Sequence, residues 1–505
     1  MIKTFCTSLA LCAALALPAT AASALKIGVV DDSPRGALDG GAAFYTLMAD
    51  LGMTENRVTV FWDPSRRDVS ALDNELLAPI TVAKLRGIRI IFAVQPTKAL
   101  TISSYRNSKV RFATFFQDLA RRHPYVKDFI VGNEPNQTRF WQPQYTRGGK
   151  GVACAAYEGL LAHTYDALKA VDPRIRVIGV GLSPRGNDNF RARNNVSTSP
   201  VRCIRDMGRA YRASGRTWPI MDELGFHPYP KQDTDSMMRG YSWPNAGIPN
   251  LNRIKQAFWD AFHGTKQPTF PEGRSSRGLK FRLDEVGWQT MVPASARSHY
   301  HGRENIRPTS EARQAQIYGG LIPYLACDPS VSSLLFFGLT DEPDLDRWQA
   351  GLVRAGGSKR PAYARVKSSF RSSRGRCRGQ VRSWRHATSV IGAGARFPSV
   401  GRPRDPKNRS WAFRATADEE ATYRAGIFRA STGRGKIARV LSGRGRAVLS
   451  TRGVVAAHWT PIIKFPNSKL RRGRYVYAIK LRASMNPARD RMFVSRPFRV
   501  ARSKR

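Results

Sequence analysis

Eight short apolar runs, each followed by a stretch with helical spacing, fill roughly the first 372 residues of this 505-residue chain. The runs are LKIGVVDD (Leu25–Asp32), RVTVFWDP (Arg57–Pro64), IRIIFAVQP (Ile88–Pro96), the start of KDFIVGNEPNQTRFW (Lys127–Trp141), IRVIGVGLSP (Ile175–Pro184), MDELGFHPYP (Met221–Pro230), KFRLDEVGW (Lys280–Trp288) and SLLFFGLTDEP (Ser333–Pro343). Continuous apolar strands suit a parallel sheet buried on both faces. Between them, segments such as VRFATFFQDLARRH and YEGLLAHTYDALKAV carry apolar residues three and four apart, the mark of amphipathic helices. Eight such units over about 350 residues predict an α/β fold, a (β/α)8 TIM barrel, spanning 25–372. A doubly wound sheet would need a glycine-rich phosphate turn after its first strand, and DDSPRGALDGG is a poor match.

The period changes after RSSRGRCRG (Arg371–Gly379), which reads as a linker. RSWAFRATAD, EATYRAGIFRAS, RYVYAIKLRAS and MFVSRPFRV alternate apolar and polar residues. Residues 380–505 are therefore expected to form a small all-β sandwich domain, similar to immunoglobulin or fibronectin type III modules. The formal net charge is +46, and about 34 Lys and Arg stand against about 5 Asp and Glu after residue 370. The arginines alternate with apolar residues instead of forming blocks, as on exposed strand faces. That pattern speaks against specific nucleic-acid binding and suits contact with an acidic cell-wall polymer.

Residues 1–22 read as a secretory signal peptide: Lys3, then the apolar run Leu9–Leu17, then small residues from Ala19 to Ser23. The expectation is a secreted, extracellular chain that keeps no membrane segment after cleavage. Cys6 and Cys12 leave with the signal, and Cys154, Cys203, Cys327 and Cys377 remain. An even number in an oxidising compartment suggests two disulfides. Order along the chain favours Cys154–Cys203 and Cys327–Cys377, with other connectivities open. No two of the four stand at the short spacing of a zinc site.

In a barrel of this kind, function gathers at the carboxyl ends of the strands. The fourth run ends Asn133-Glu134, the seventh Asp284-Glu285, and the sixth leads into His227-Pro228-Tyr229. Two glutamates on strands four and seven would face one another across the mouth. Such a pair is what hydrolysis of a glycosidic bond needs: one carboxyl protonates the leaving oxygen, the other attacks or steers water.

VGNEPN on strand four, HPYP on strand six and DEVGW on strand seven together resemble the clan A glycoside hydrolases, nearest to cellulase-like family 5 and family 39-like members. The resemblance covers roughly residues 25–372. It implies a retaining O-glycosyl hydrolase acting on a poly- or oligosaccharide, with no metal and no organic cofactor. By position it implies Glu134 as acid/base, Glu285 as nucleophile and Asn133 as partner of the sugar 2-hydroxyl. Tyr229 then stands beside the nucleophile with His227 as its companion, and Arg57 keeps the nucleophile ionised. Trp62 and Trp288 are candidate stacking platforms for sugar rings. Where the family usually ends strand eight in tryptophan, this chain has Phe336 and Phe337, and the next tryptophan is Trp348. The competing reading is a catalytically silent carbohydrate-binding or cell-surface adhesion protein.

Overall fold

The structure is a computed structural model that describes residues 24–65, 69–273, 275–387, 393–397, 411–417, 421–455, 460–465, 470–483 and 490–500. The signal peptide expected over 1–22 lies outside the described residues.

Strands β1 (Lys26–Val30), β2 (Glu55–Trp62), β3 (Arg89–Pro96), β4 (Asp128–Val131), β5 (Arg176–Leu182), β6 (Glu223–Phe226), β7 (Lys280–Val286) and β8 (Val331–Phe337) run parallel and close into a barrel in sequence order, β1 pairing with β8. Around them lie α1 (Ala42–Leu51), α2 (Asp73–Leu85), α3 (Thr101–Ser104), α4 (Ser108–Arg122), α5 (Ala153–Val171), α6 (Pro200–Ala213), α7 (Leu251–Phe262), α8 (Glu311–Ala326) and α9 (Pro361–Ser373). Local chemistry sets their starts. The Ser199 side chain accepts from the Arg202 amide and Pro200 occupies the first turn of α6; Ser310 caps α8 in the same way. Apolar stripes such as Phe112, Phe115, Phe116 and Leu119 of α4 are buried in the core between helices and strands.

Alternate strand residues point into the barrel. Its lower end, where the strands begin, is closed by charge. Glu55, Asp128, Glu223 and Ser333 come from the four even-numbered strands, and the wholly buried Arg282 of β7 reaches three of them. Its guanidinium lies 2.6 Å from Glu55, 2.8 Å from Glu223 and 3.6 Å from Asp128. Arg89, Arg176 and Lys26, partly exposed, add further ion pairs with this acidic layer. Above it Ile91, Ile130, Ile178 and Leu335 form an apolar plug.

The β4–β5 side departs from a regular ladder near the upper end. β5 bulges between Gly179 and Leu182, with Val180 at φ 81° and Gly181 at φ 54°. A β-branched residue at positive φ is a strained outlier. The buried Tyr157 hydroxyl of α5 fills the gap, donating to the Val131 carbonyl at 2.5 Å and accepting from the Val180 amide at 2.6 Å.

Both expected disulfides are present. Cys154–Cys203 joins α5 to α6, and Cys327–Cys377 joins the end of α8 to the chain beyond α9. Nearby, the Leu25 amide donates to the Gly375 carbonyl at 2.8 Å, so the chain after α9 is fastened to the start of β1. Among the described residues no helix is long and apolar enough to cross a membrane.

The carboxyl-terminal region forms two antiparallel sheets. Its elements are β9 (Gly394–Arg396), β10 (Trp411–Thr416), β11 (Ala421–Arg429), α10 (Arg434–Leu441), β12 (Leu449–Val455), β13 (Ile462–Phe465), β14 (Gly473–Ala483), β15 (Asp490–Val494) and β16 (Phe498–Val500). One sheet runs β13-β10-β9; the other runs β12-β11-β14-β15 with β16 also on β14. Trp411, Phe413 and Phe465 of the first pack with Ile427, Tyr477, Ile479 and Leu481 of the second in one core, as a sandwich requires. One short helix accompanies the expected antiparallel sheets. Ile437 and Leu441 of α10 cover Phe428, Val476 and Ala478 on the other face of the larger sheet. The segment GRGKIARVLSGRG has apolar residues at 437, 440 and 441, the three- and four-residue spacing of a short amphipathic helix.

Candidate active site

At the upper end of the barrel the strand ends open into a cleft of about 1090 Å³ lined by Arg57, Asn133, Glu134, Tyr229 and Glu285 among others. Each arrives from a different structural cause. β4 stops at Val131, Gly132 turns at φ 74°, and Glu134 takes φ 36°. The Glu134 amide then donates to the Gly181 carbonyl at 3.0 Å, a carbonyl made available by the β5 bulge. Pro135 follows, so β4 cannot continue. On β7 the register shifts between Leu283 and Val286. Asp284 stays wholly buried, while Glu285 turns into the cleft.

Arg57 is the hub. Its guanidinium pairs closely with Glu285 Oε1 and donates to Asn133 Oδ1 at 3.0 Å, with Asp284 at 3.9 Å. The Tyr229 hydroxyl donates to Glu285 Oε2 at 3.0 Å. Because Arg57 takes the Asn133 oxygen, the Asn133 amide NH2 is the group left for the cleft. His227 is wholly buried beneath the two glutamates. Its Nδ1 lies 3.0 Å from Glu134 Oε1 and 3.5 Å from Glu285 Oε2; its Nε2 lies 3.3 Å from Asp284 Oδ2. Two glycines make room for this stack. A Cβ on Gly225 would meet Asp284 Oδ1 at 3.0 Å, and one on Gly181 would meet His227 Nε2 at 3.1 Å.

The electrostatics follow from these contacts. Burial alone would lower the His227 pKa, but the Glu285 and Asp284 charges and the hydrogen bonds raise it to about 10. His227 is therefore an imidazolium with both ring N–H groups donating. Burial opposes the charge on Arg57 too, and Glu285 and Asp284 override it, so its pKa rises. Asp284, despite burial, is held below its ordinary value by His227 and Arg57. Burial and the adjacent Glu285 charge push the Tyr229 hydroxyl well above 10, which keeps it a hydrogen-bond donor. One oxygen each of Glu134 and Glu285 and a His227 nitrogen lie within 4.8 Å of one another. Geometrically these three could hold a metal ion, which would require His227 to give up the proton on its ligating nitrogen.

The tryptophans expected as platforms are not in the cleft. Trp62 is 2% exposed and packs edge-on against Phe112. Trp288 is 1% exposed, donates to the Asp235 carbonyl at 3.0 Å and packs against Tyr318. The inward positions of β2 are Glu55, Arg57 and Thr59, so Trp62 has the outward parity and faces the helices; period two alone contained that answer. His227 contributes from below without lining the cleft. The aromatic corner is instead built by Trp348, whose ring centroid lies 5.1 Å from both Tyr229 and Phe337. Asp284, the buried counter-charge under His227, was also not singled out as a site residue.

No family model matches the chain, and none of the curated proteins does. Solved structures similar to it include a family 39 glycoside hydrolase from Bacteroides cellulosilyticus WH2, 15% identical with a TM-score of 0.45, covering 88% of this chain and 81% of that one. A GH39 enzyme from Xanthomonas axonopodis pv. citri is 15% identical with a TM-score of 0.43, over 88% and 91%. A monomeric beta-xylosidase from Caulobacter crescentus CB15 is 15% identical with a TM-score of 0.43, over 88% and 93%.

Proposed function

We propose that this chain is a secreted retaining glycoside hydrolase that cleaves O-glycosidic bonds of a poly- or oligosaccharide by double displacement. The observation that carries the reading is the unequal treatment of two glutamates sharing one mouth. Glu285 is clamped by Arg57 and Tyr229, which aim its carboxylate, as a nucleophile requires. Among the described residues no arginine pairs with Glu134. His227 donates to its Oε1, and among the described residues no hydrogen bond reaches Oε2, so Oε2 is left to carry the proton.

Glu134, Asp284 and Glu285 gather around two cationic groups, His227 and Arg57. In the first step Glu285 attacks the anomeric carbon while Glu134 protonates the leaving oxygen. In the second, Glu134 takes a proton from water, which displaces Glu285 from the sugar. The separation within 4.8 Å suits this route, since retaining pairs stand about 5–5.5 Å apart and inverting pairs wider. The Asn133 amide is placed to donate to the 2-hydroxyl, and Trp348 with Tyr229 and Phe337 gives the sugar an apolar wall.

Azide rescue tests the assignment. Glu285→Ala abolishes turnover, and azide attacking the vacated face yields a glycosyl azide of inverted configuration. Glu134→Ala spares the first step for activated aryl glycosides, and azide then gives the retained product because the covalent intermediate still forms. Exchanged stereochemistry would reverse the two roles. Wild-type turnover in both variants would place the chemistry elsewhere.

A further inference from the structure

The charged residues around the cleft divide into two kinds. Its rim acids are engaged. Asp31 accepts from the amides of Ser33, Leu339 and Thr340; Asp32 accepts from that of Thr59; Asp233 from that of Gln289. Asp341 pairs with the buried Arg360 and accepts from Tyr300, and Glu342 accepts from the Trp348 amide. These hydrogen bonds tie the acids to the loops they shape.

The rim cations are exposed, with Arg185 acting on Asp233 from beyond ion-pairing distance. Arg139, Arg185, Lys231 and Arg307 follow β4, β5, β6 and β7 in turn, and all four are exposed and line the cleft. None has a carboxylate within ion-pairing distance among the described residues. Arg139 lies over the ring of Phe140, itself in the cleft wall, at 5.6 Å. The Arg185 backbone is held by Gln137, whose side-chain amide donates to its carbonyl at 2.5 Å. Four successive loops thus present exposed cationic side chains to the cleft, placed to meet an anionic group that enters it.

We infer that the cleft takes an anionic glycan, whose carboxylate or sulfate groups are met by Arg139, Arg185, Lys231 and Arg307. This deepens the glycosidase reading by naming its substrate class, and rests on it for turnover but not for binding. It also places acid recognition in the barrel, separately from the basic carboxyl-terminal sheets.

The test is binding by the full chain at 0.15 M salt, where the screening length of about 8 Å suppresses diffuse attraction. The probes are polygalacturonate, its carboxyl-reduced neutral form, a sulfated galactan and its desulfated form. Wild type is compared with Arg139→Gln/Arg185→Gln/Lys231→Gln/Arg307→Gln. A charge-matched control, Arg444→Gln/Arg446→Gln/Arg472→Gln/Arg474→Gln, changes four exposed arginines of the carboxyl-terminal sheets. The cleft variant should lose about 30-fold in affinity for an anionic probe, the product of four exposed ion pairs worth a few-fold each. The control should lose less than about 3-fold on the same scale. Preference for polygalacturonate identifies carboxylate as the recognised group; preference for the sulfated galactan identifies sulfate. Equal loss in both variants, equal binding of the neutral forms, or no binding of either anionic polymer overturns the inference. Its failure is distinct from that of the glycosidase reading. Cleavage of a neutral glycan with unchanged kcat/KM in the cleft variant leaves the hydrolase standing and removes the anionic substrate. Tight cleft-dependent binding without cleavage does the reverse.

Discussion

Replacing Arg282 with methionine isolates the charged layer at the lower end of the barrel from the chemistry at the upper end. The guanidinium is wholly buried and contacts Glu55, Glu223 and Asp128. Methionine fills much of the volume but leaves the three carboxyls with the partly exposed Arg89, Arg176 and Lys26 and with Lys280 beside Glu223. Removing one partner of a buried ion pair costs about 3–5 kcal/mol. At roughly 2 °C per kcal/mol for a chain of this size, Tm should fall by about 6–10 °C at pH 8. The loss has a sign in pH. Burial already raises Asp128 to about 6, against the ordinary 3.8. A carboxyl whose folded pKa exceeds its unfolded value penalises the folded state as pH climbs from about 4 through the folded value, and the penalty vanishes only below the unfolded value. Without Arg282 Asp128 is pushed further upward and Glu55 loses the guanidinium that offsets its burial, so the variant should regain about half the lost stability at pH 5. Calorimetry or urea denaturation at the two pH values reads this directly. Equal losses at pH 5 and pH 8, or no loss at pH 8, would refute the reasoning. Turnover at 25 °C should stay within about 2-fold of wild type, because the layer touches no group of the cleft.

Tyr157→Phe leaves the Val131 carbonyl and the Val180 amide unpaired, at about 1–3 kcal/mol each; denaturation should show the loss, and kcat should fall as the Gly181 carbonyl releases Glu134. His227 has a folded pKa of about 10 against an ordinary 6.5, so its stabilising contribution is complete below pH 6.5 and lost as pH rises through about 10. Wild-type Tm should drop between pH 8 and 10.5 by more than that of His227→Gln. Opening the Cys327–Cys377 bridge, which spans 50 residues, with Cys327→Ser/Cys377→Ser should cost about 4 kcal/mol by denaturation. Trp348→Ala should raise KM about 10-fold with a smaller change in kcat, as loss of one stacking wall predicts.

The barrel was legible because a parallel strand buried on both faces reads as an unbroken apolar run, and each of the eight runs overlaps an observed strand. Glu285 was legible only through the DEVGW motif. Simple alternation places it outward beside the inward Asp284, and the register shift after Leu283 reverses this. The Trp62 and Trp288 expectation failed for the opposite reason: proximity to a strand end outweighed parity. The role of Tyr157 could not be read at all, because it depends on a bulge in a strand that its own helix precedes by several residues. The rim cations were visible only as three arginines and a lysine in loops. What separates them from the chain's many other cations is their place on the cleft wall, a property of three dimensions.

The pairing of β1 with β8 has a consequence for how the chain is made. Lys26 sits opposite Ser333, so the ring closes across some three hundred residues. A nascent chain cannot complete it until β8 has emerged. Until then β1 and whichever strand was made last both offer open edges, the surfaces on which chains add to one another. The fastenings at this join, Leu25 to Gly375 and Cys327 to Cys377, use residues synthesised later still. Completion of the barrel is thus a long-range event at the end of its synthesis, and any truncation before residue 337 leaves two unpaired edges instead of a smaller barrel.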